Sequence, residues 1–466
     1  MRIFSISWLM LVCCRVVGLE CGATGLPRIC VGNIATSKQH IPSSLHVEKN
    51  TSADLVGKVE LDLALLTDIA FENSPETRRA WHLVQVAEAQ KNRTQSAFFP
   101  TISLSSSLTR KYVDNPTISG DPYYLTVSAS PSVCLNYTLF TFGADHAAAK
   151  AAKHNLATAR FQCSRSLQTL LFRVQSCYFA FNGALSSMDA REANLRDATE
   201  VCKLAEARLQ AGLGDRQSFL QARAAMLRAE FDLEETKAAV EKARADLAAT
   251  VGVCVSKNFR ILRSALPDEM ECLNLSVEQL VSEALASRRD VLATHAQFQT
   301  MESIERVAKL QWGPRVVGTA ESSNEDYRHF GTGKSFSFSI AVKWDIQCGL
   351  EKFHQWREQQ AQKKIAFENL RGVELRAAGE VWSQYFAYLS AHKRLCSARA
   401  LLAAAKESFK ATELAYRGGL GSFIDLLNSQ NVLARAREGL AAAESVFSTS
   451  LAALAYAIGS LERLCP

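Results

Sequence analysis

Beyond its first residues, the sequence never sustains about twenty consecutive apolar positions, so no helix is expected to cross a bilayer. His-Glu-x-x-His is absent and the nine histidines are dispersed, which removes the commonest zinc-hydrolase arrangement. Gly333-Lys334-Ser335 imitates the end of a phosphate-binding loop. However, Arg328 stands where the first glycine belongs, and a strand pattern rather than a helical one follows. No catalytic centre, metal or cofactor is therefore expected. Lys and Arg exceed Asp and Glu only by 53 to 47, without a basic block, which leaves nucleic acid little to bind. The thirteen cysteines form no Cys-x-x-Cys pair and read as small apolar residues on helix faces. Cys254 and Cys272 flank the middle of the chain and are the first pair to consider for a disulfide. Cys13, Cys14 and Cys21 sit in poor contexts for lipid attachment.

At 466 residues and 48% apolar, the chain has ample material for a large core. Arg2, the apolar run from Ile3 to Cys14 and the small-residue site at Val16-Val17-Gly18 read as a signal peptide over residues 1–18. Residues 19–57 mix Gly, Pro, Ser, Thr and Asn without a period, and suit an extended arm.

The remainder is a tandem duplication. Gly212-Leu213-Gly214 recurs as Gly419-Leu420-Gly421, and the flanking residues match at the same offset of 207. A period that long marks two halves of one architecture, not a solenoid. The first half spans 58–252, with its tip at 210–215. The second spans 275–462, with its tip at 417–422. A linker at 253–274 and a tail at 463–466 complete the chain.

In each half helical spacing precedes the strands, ending at Phe98-Phe99-Pro100 and at Pro314, with Asn73-Ser74-Pro75 as a cap in the first. After the strands, helices are expected over about 144–209 and 217–251, then about 351–416 and 423–461. A helix of about 65 residues is roughly 100 Å long. The two shorter helices of each half, stacked end to end, reach about the same height. Each half becomes two equal columns, with strands at one end and the glycine tip at the other. Leu433, Leu440, Phe447, Leu451, Leu454, Ile458 and Leu461 mark a coiled-coil-like seam.

Hairpins are expected at 101–140 and 315–346. Leu125, Val127, Ala129, Val133, Leu135, Tyr137 and Leu139 alternate with polar residues. Phe336, Phe338, Ile340, Val342 and Trp344 alternate with Ser335, Ser337, Ser339, Ala341 and Lys343. Such segments are long enough for transmembrane β-strands, which need about 9–11 residues. Four strands cannot close a barrel, because the smallest have about eight. Symmetry must supply the rest, and a dimer or a trimer both satisfy that requirement. Trp344 and Tyr137 suit a membrane girdle, and Tyr123 and Tyr124 suit the opposite interface.

The order helix, Phe-Phe-Pro, hairpin, long helix, Arg208-Leu209-Gln210-Ala211-Gly212-Leu213 tip, helix, then the whole again, resembles the TolC-like outer membrane efflux proteins. The resemblance covers roughly residues 58–462. It implies a mainly α fold with a small β part, assembled as a homotrimer: a twelve-stranded barrel in the outer membrane and a helical tunnel through the periplasm. It further implies docking of the tips, at Arg208, Gly212, Leu213, Gly214, Gly419, Leu420 and Gly421, onto a periplasmic adaptor that serves an inner-membrane pump. The segment Phe423 to Asn428 resembles the entrance that carries two aspartates in this family. Asp425 matches the first, Asn428 replaces the second, and Ser218 stands at the first-half position equivalent to Asp425. An acidic ring would then have one carboxylate per chain. Tyr416 and Arg417 would help hold the tip closed. A pore-free periplasmic coiled-coil scaffold is the alternative.

Overall fold

The computed structural model describes residues 60–114, 123–253, 260–261, 276–327, 331–346 and 349–459. The expected leader, arm and tail and the Cys254 and Cys272 pair lie outside the described residues.

The first half contains β1 (Glu60–Leu61), α1 (Leu63–Asn73), α2 (Pro75–Gln95), β2 (Thr101–Asp114), β3 (Tyr123–Phe140), α3 (Ala144–Gln210) and α4 (Arg216–Val251). The second contains β4 (Arg260–Ile261), α5 (Val277–Ser287), α6 (Arg289–Leu310), β5 (Arg315–Tyr327), β6 (Gly331–Lys343), α7 (Glu351–Arg417) and α8 (Phe423–Ile458). The two long helices have 67 residues each, which is about 100 Å at 1.5 Å per residue.

Packing arranges the helices as four parallel columns. The helix α3 lies against α4 towards the tips and against α2 towards the strands; its other side meets α8 and α6 at the same two levels. The helix α7 then covers α8 and α6 in turn. The order is α2 over α4, then α3, then α6 over α8, then α7. Each stacked column meets at a left-handed glycine. A Cβ on Gly252 (φ 77°) would lie 3.1 Å from Asn73 Cβ, and one on Gly459 (φ 85°) 3.3 Å from Arg288 Cα. Only glycine combines that φ with so close an approach, so these positions let one helix end abut the next.

The core repeats with the chain. Leu66, Ala70, Val174, Val240, Leu247 and Val251 pack between α1, α3 and α4. Leu280, Ala284, Val381, Phe447, Leu454 and Ile458 occupy the corresponding places between α5, α7 and α8. Burying each of these larger side chains contributes about 1.5–3 kcal/mol.

The helical stretch before the first hairpin divides at the expected Asn73-Ser74-Pro75 cap, and two short features precede it. Glu60–Leu61 pair in parallel with Arg260–Ile261 inside the expected linker, and Asp62 caps α1 by accepting from Leu63 N. The second half breaks at Arg288, again in extended conformation. One 18-residue stretch of α8 reaches a mean hydropathy of 1.3, enough by length and composition to cross a bilayer. Its seam is accounted for by packing: Leu433, Phe447, Leu454 and Ile458 are buried against α7 and α5, while Leu440 and Leu451 are half-buried.

The four longer strands form one antiparallel sheet in the order β2-β3-β5-β6. Directly paired residues share a face. On one face the rows are Ile102–Leu135–Ala320–Phe338 and Leu104–Val133–Ser322–Phe336. On the other they are Thr101–Asn136–Thr319–Ser339, Ser103–Cys134–Glu321–Ser337 and Ser105–Ser132–Ser323–Ser335. One face is dry and one wet, and the outer edges of β2 and β6 have no partner strand among the described residues.

Candidate functional site: the helix tips and the conduit

Both tips close in the same way. At the first, Gly212 (φ 72°) donates to Leu209 O at 3.1 Å and Leu213 N to Arg208 O at 2.9 Å. At the second, Gly419 (φ 79°) donates to Tyr416 O at 3.1 Å and Leu420 N to Ala415 O at 2.9 Å. This is the Schellman pattern, which satisfies the last carbonyls of a helix. The second glycine of each turn has a different role. A Cβ on Gly214 would approach Leu209 N to 3.3 Å, and one on Gly421 would approach Tyr416 N to 3.1 Å, so both let the chain press against the helix it has just left.

In a Schellman turn the residue after the left-handed glycine usually packs back onto the helix. Here it does not: Leu213 is 72% exposed and Leu420 is 92% exposed. Beneath them the two tips share one small core of Val201, Cys202, Ala205, Ala222, Tyr416, Phe423 and Leu426.

Arg208 turns inward. Its Nη1 donates to Tyr416 O, and its guanidinium lies 4.6 Å from the centre of the Tyr416 ring. Tyr416 is itself buried, with Phe423 5.9 Å away ring to ring. Arg417 pairs with Glu413 at 2.6 Å on its own helix.

The start of each helix after a tip carries a serine and an aspartate in exchanged positions. At the first tip Asp215 is the N-cap and its carboxylate accepts from the Ser218 hydroxyl, which holds the carboxyl below its usual range. At the second, Ser422 is the N-cap, accepting from Ile424 N at 3.2 Å, and Asp425 sits exposed in the first turn of α8 with Asn428 one turn on. Both tips therefore bear a carboxylate, three residues apart in register. Asp215 escapes a sequence comparison that looks only at the position aligned with Asp425.

Above the tips a polar layer joins the two hairpins. Arg191 of α3 pairs with Asp232 of α4 at 3.0 Å and with Glu438 of α8 at 2.9 Å. Arg437 pairs with Asp197 at 2.6 Å, and Asn194 donates to Glu438 at 3.2 Å. Burial pushes the Glu438 carboxyl up in spite of the Arg191 charge. Higher still, Arg288 is 2% exposed. It grips both oxygens of Asp290 at 3.1 and 2.7 Å, meets Glu380 at 2.7 Å and donates to Ala457 O at 3.2 Å.

At the junction of helices and sheet, Trp344 lies one residue past β6 and donates to Trp312 O at 3.0 Å. Trp312 in turn donates to Lys352 O at 3.1 Å. Tyr137, on β3 opposite Gly318, is half-buried on the dry face. Phe99, Phe140, Phe142 and Trp312 are exposed near the same junction. Tyr123 and Tyr124 begin β3 at the far end of the sheet.

A family profile described as outer membrane efflux protein matches residues 66–253 and 280–460. Protein CyaE of Bordetella pertussis is 26% identical over 411 residues, covering 86% of this chain and 85% of its own. Outer membrane efflux protein BepC of Brucella suis is 25% identical over 411 residues, covering 84% of each. The outer membrane protein VceC of Vibrio cholerae shares the fold, with a TM-score of 0.76 at 18% identity over 85% of this chain and 96% of that one. Since the two matched blocks coincide with the two structural halves, the chain belongs to the outer membrane efflux protein family.

Proposed function

We propose that three copies of the chain close into one exit duct: a twelve-stranded barrel in the outer membrane, continued by a twelve-column helical tunnel through the periplasm. The protein is an outer membrane channel of this family, not a pore-free scaffold. The subunit number is the part that needs argument. A sheet that is dry on one face and wet on the other, with two unpaired edges, cannot stand open in lipid, where every unsatisfied backbone group costs several kcal/mol. Copies joined edge to edge, β6 to β2, satisfy both edges and leave the wet faces inside.

The helical part supports the same closure. Its two flanks both carry exposed large apolar residues: Trp382, Phe386 and Leu401 on α7, and Trp81, Leu227 and Phe231 on α2 and α4. Different flanks meeting head to tail generate a ring. Three copies also provide the twelve strands expected for a wide conduit, whereas two would give eight, whose interior is largely filled by side chains.

The family works with a periplasmic adaptor and an inner-membrane pump. We place the adaptor contact at Leu213 and Leu420, apolar residues held in solvent by turns that usually bury them, with Gly212, Gly214, Gly419 and Gly421 shaping the turns. Asp215 and Asp425 stand at the entrance, and Trp344 and Tyr137 belong to the periplasmic girdle. Substrate passes without chemical change.

The test is direct. The purified protein should run as a heat-sensitive trimer from outer membrane fractions and conduct ions in planar bilayers. A monomer released by salt washing, with no conductance, would return the scaffold reading.

A further inference from the structure

The wet face of the sheet is almost wholly uncharged at mid-height. In the row Thr101–Asn136–Thr319–Ser339, the Thr319 and Ser339 hydroxyls bond at 2.6 Å. In the row Ser105–Ser132–Ser323–Ser335, both neighbouring pairs do so, at 2.7 and 2.6 Å. The row between them is Ser103–Cys134–Glu321–Ser337. Glu321 is exposed, and it has no hydrogen bond or ion pair among the described residues.

Glu321 is the midpoint of β5, six residues from either end. At about 3.4 Å per residue that places it roughly 20 Å along the strand from each rim. The nearest same-face positions bearing charge on β5 are Glu325, four residues towards the hairpin loop, and Arg315 at the helix end. Arg315 is matched by Asp345 at 3.0 Å. No cation in the central rows offsets Glu321.

We propose that Glu321 sets the charge preference of the barrel lumen: one carboxylate per chain forms an acidic ring that enriches cations over anions at mid-membrane, separate from the aspartates at the tips. The inference rests on the duct reading. Twelve strands about 4.8 Å apart and tilted about 40° give a backbone radius of roughly 12 Å. A glutamate side chain reaches several ångströms inward, so the distance left to the axis is close to the Debye length of about 8 Å at physiological salt. The ring therefore acts across the whole lumen in dilute salt and mainly near the wall in concentrated salt. Rings of acidic side chains give cation preference elsewhere by the same physics.

The native Cys134 is the local probe. It is the direct cross-strand neighbour of Glu321, and paired Cβ atoms in a sheet stand about 5 Å apart. Folded wild-type trimers are treated with a cationic and, separately, an anionic methanethiosulfonate of similar size. Labelling of the Cys134 peptide is followed by mass spectrometry, in about 20 mM and about 500 mM salt, where screening differs several-fold. Because any effect of Glu321 on the thiol itself is common to both reagents, the ratio of their rates reports the local potential.

The cationic reagent is expected to react at least several-fold faster in dilute salt. That ratio should fall towards its free-thiol value in concentrated salt, and in Glu321→Gln at either salt. An equal ratio in wild type and Glu321→Gln overturns the proposal, as does a Cys134 that neither reagent reaches in folded trimers. The variant is compared only where heat-sensitive trimers form, and Glu321→Asp, which keeps the charge, should retain the ratio. Failure of the duct reading is separate: it would appear as wild-type protein that neither trimerises nor conducts.

Discussion

The guanidinium of Arg208, the last basic residue of the first long helix, stacks 4.6 Å from the ring centre of Tyr416 at the end of the second and donates to its carbonyl. One side chain thereby ties the two tips of a single subunit. A cation–π contact contributes about 0.5–2 kcal/mol, depending on desolvation, and the charged hydrogen bond adds to it. Losing both is enough to shift a closed–open balance by tenfold or more. Arg208→Ala is expected to raise the mean single-channel conductance, with trimers intact. Arg208→Lys should restore little, because an ammonium lacks the planar fork that stacks and donates together. Conductance equal to wild type in both variants would leave the clasp without a part in closure.

At the tips themselves, Leu420→Glu and Leu213→Glu should each weaken adaptor capture and efflux, and together abolish them, while leaving trimers and bilayer conductance unchanged. Neither leucine is buried, so neither substitution should cost more than about 0.5 kcal/mol of stability. Leu420, the more exposed of the two, should show the larger loss. Cross-linking to the adaptor in membranes, alongside substrate sensitivity of cells, reads the outcome. Normal efflux in the double variant would remove the docking assignment.

The exchanged Ser–Asp pairs predict that the entrance carries two carboxylates per chain. Asp425→Asn alone should therefore reduce cation preference only in part, and Asp215→Asn alone likewise, whereas the double variant should lose most of the contribution of the tips. Reversal potentials across a salt gradient distinguish this from an entrance governed by Asp425 alone, in which Asp425→Asn and the double variant would coincide and Asp215→Asn would match wild type.

The duplication, the long helices, both hairpins and the two glycine turns were legible because each is repeated or strictly periodic. A constant offset aligns Val174 with Val381 and Leu247 with Leu454, and both pairs prove to be core. Features set by single tertiary contacts were not legible. The break at Ser74 is announced by Pro75, but the one at Arg288 has no proline and depends on a guanidinium enclosed by three helices. The pairing of Glu60–Leu61 with Arg260–Ile261 is too short to carry a period. Glu321 escaped because β5 interrupts its alternation with Gly318, leaving the register with β3 and β6 to reveal which face the carboxylate occupies.

Arg288 yields the last prediction. Burial opposes its charge, yet the carboxylates of Asp290 and Glu380 outweigh burial and hold its pKa above the ordinary arginine value. For Asp290 burial alone would raise the carboxyl, but Arg288 and Arg165 bring it below the usual range. Removing one partner of a buried pair costs about 3–5 kcal/mol, and the lower end applies because Glu380 is half in solvent. Arg288→Met should thus lower the melting temperature of the trimer well beyond Arg289→Met, whose side chain is exposed. The pH dependence follows from the sign of the Asp290 shift. A depressed carboxyl stabilises the fold above its unfolded value, about 3.9, and that stability is lost only as pH falls through the still lower folded value. In Arg288→Met the same carboxyl is left half-buried beside Arg165 alone, so its pKa rises and acidification towards pH 5 relieves it. The gap in melting temperature between wild type and variant should narrow from pH 7 to pH 5, with Arg288→Met/Asp290→Asn less affected by pH than the single variant. A gap that stays constant over that range would mean that Arg288 acts by packing and by its bond to Ala457, not through Asp290.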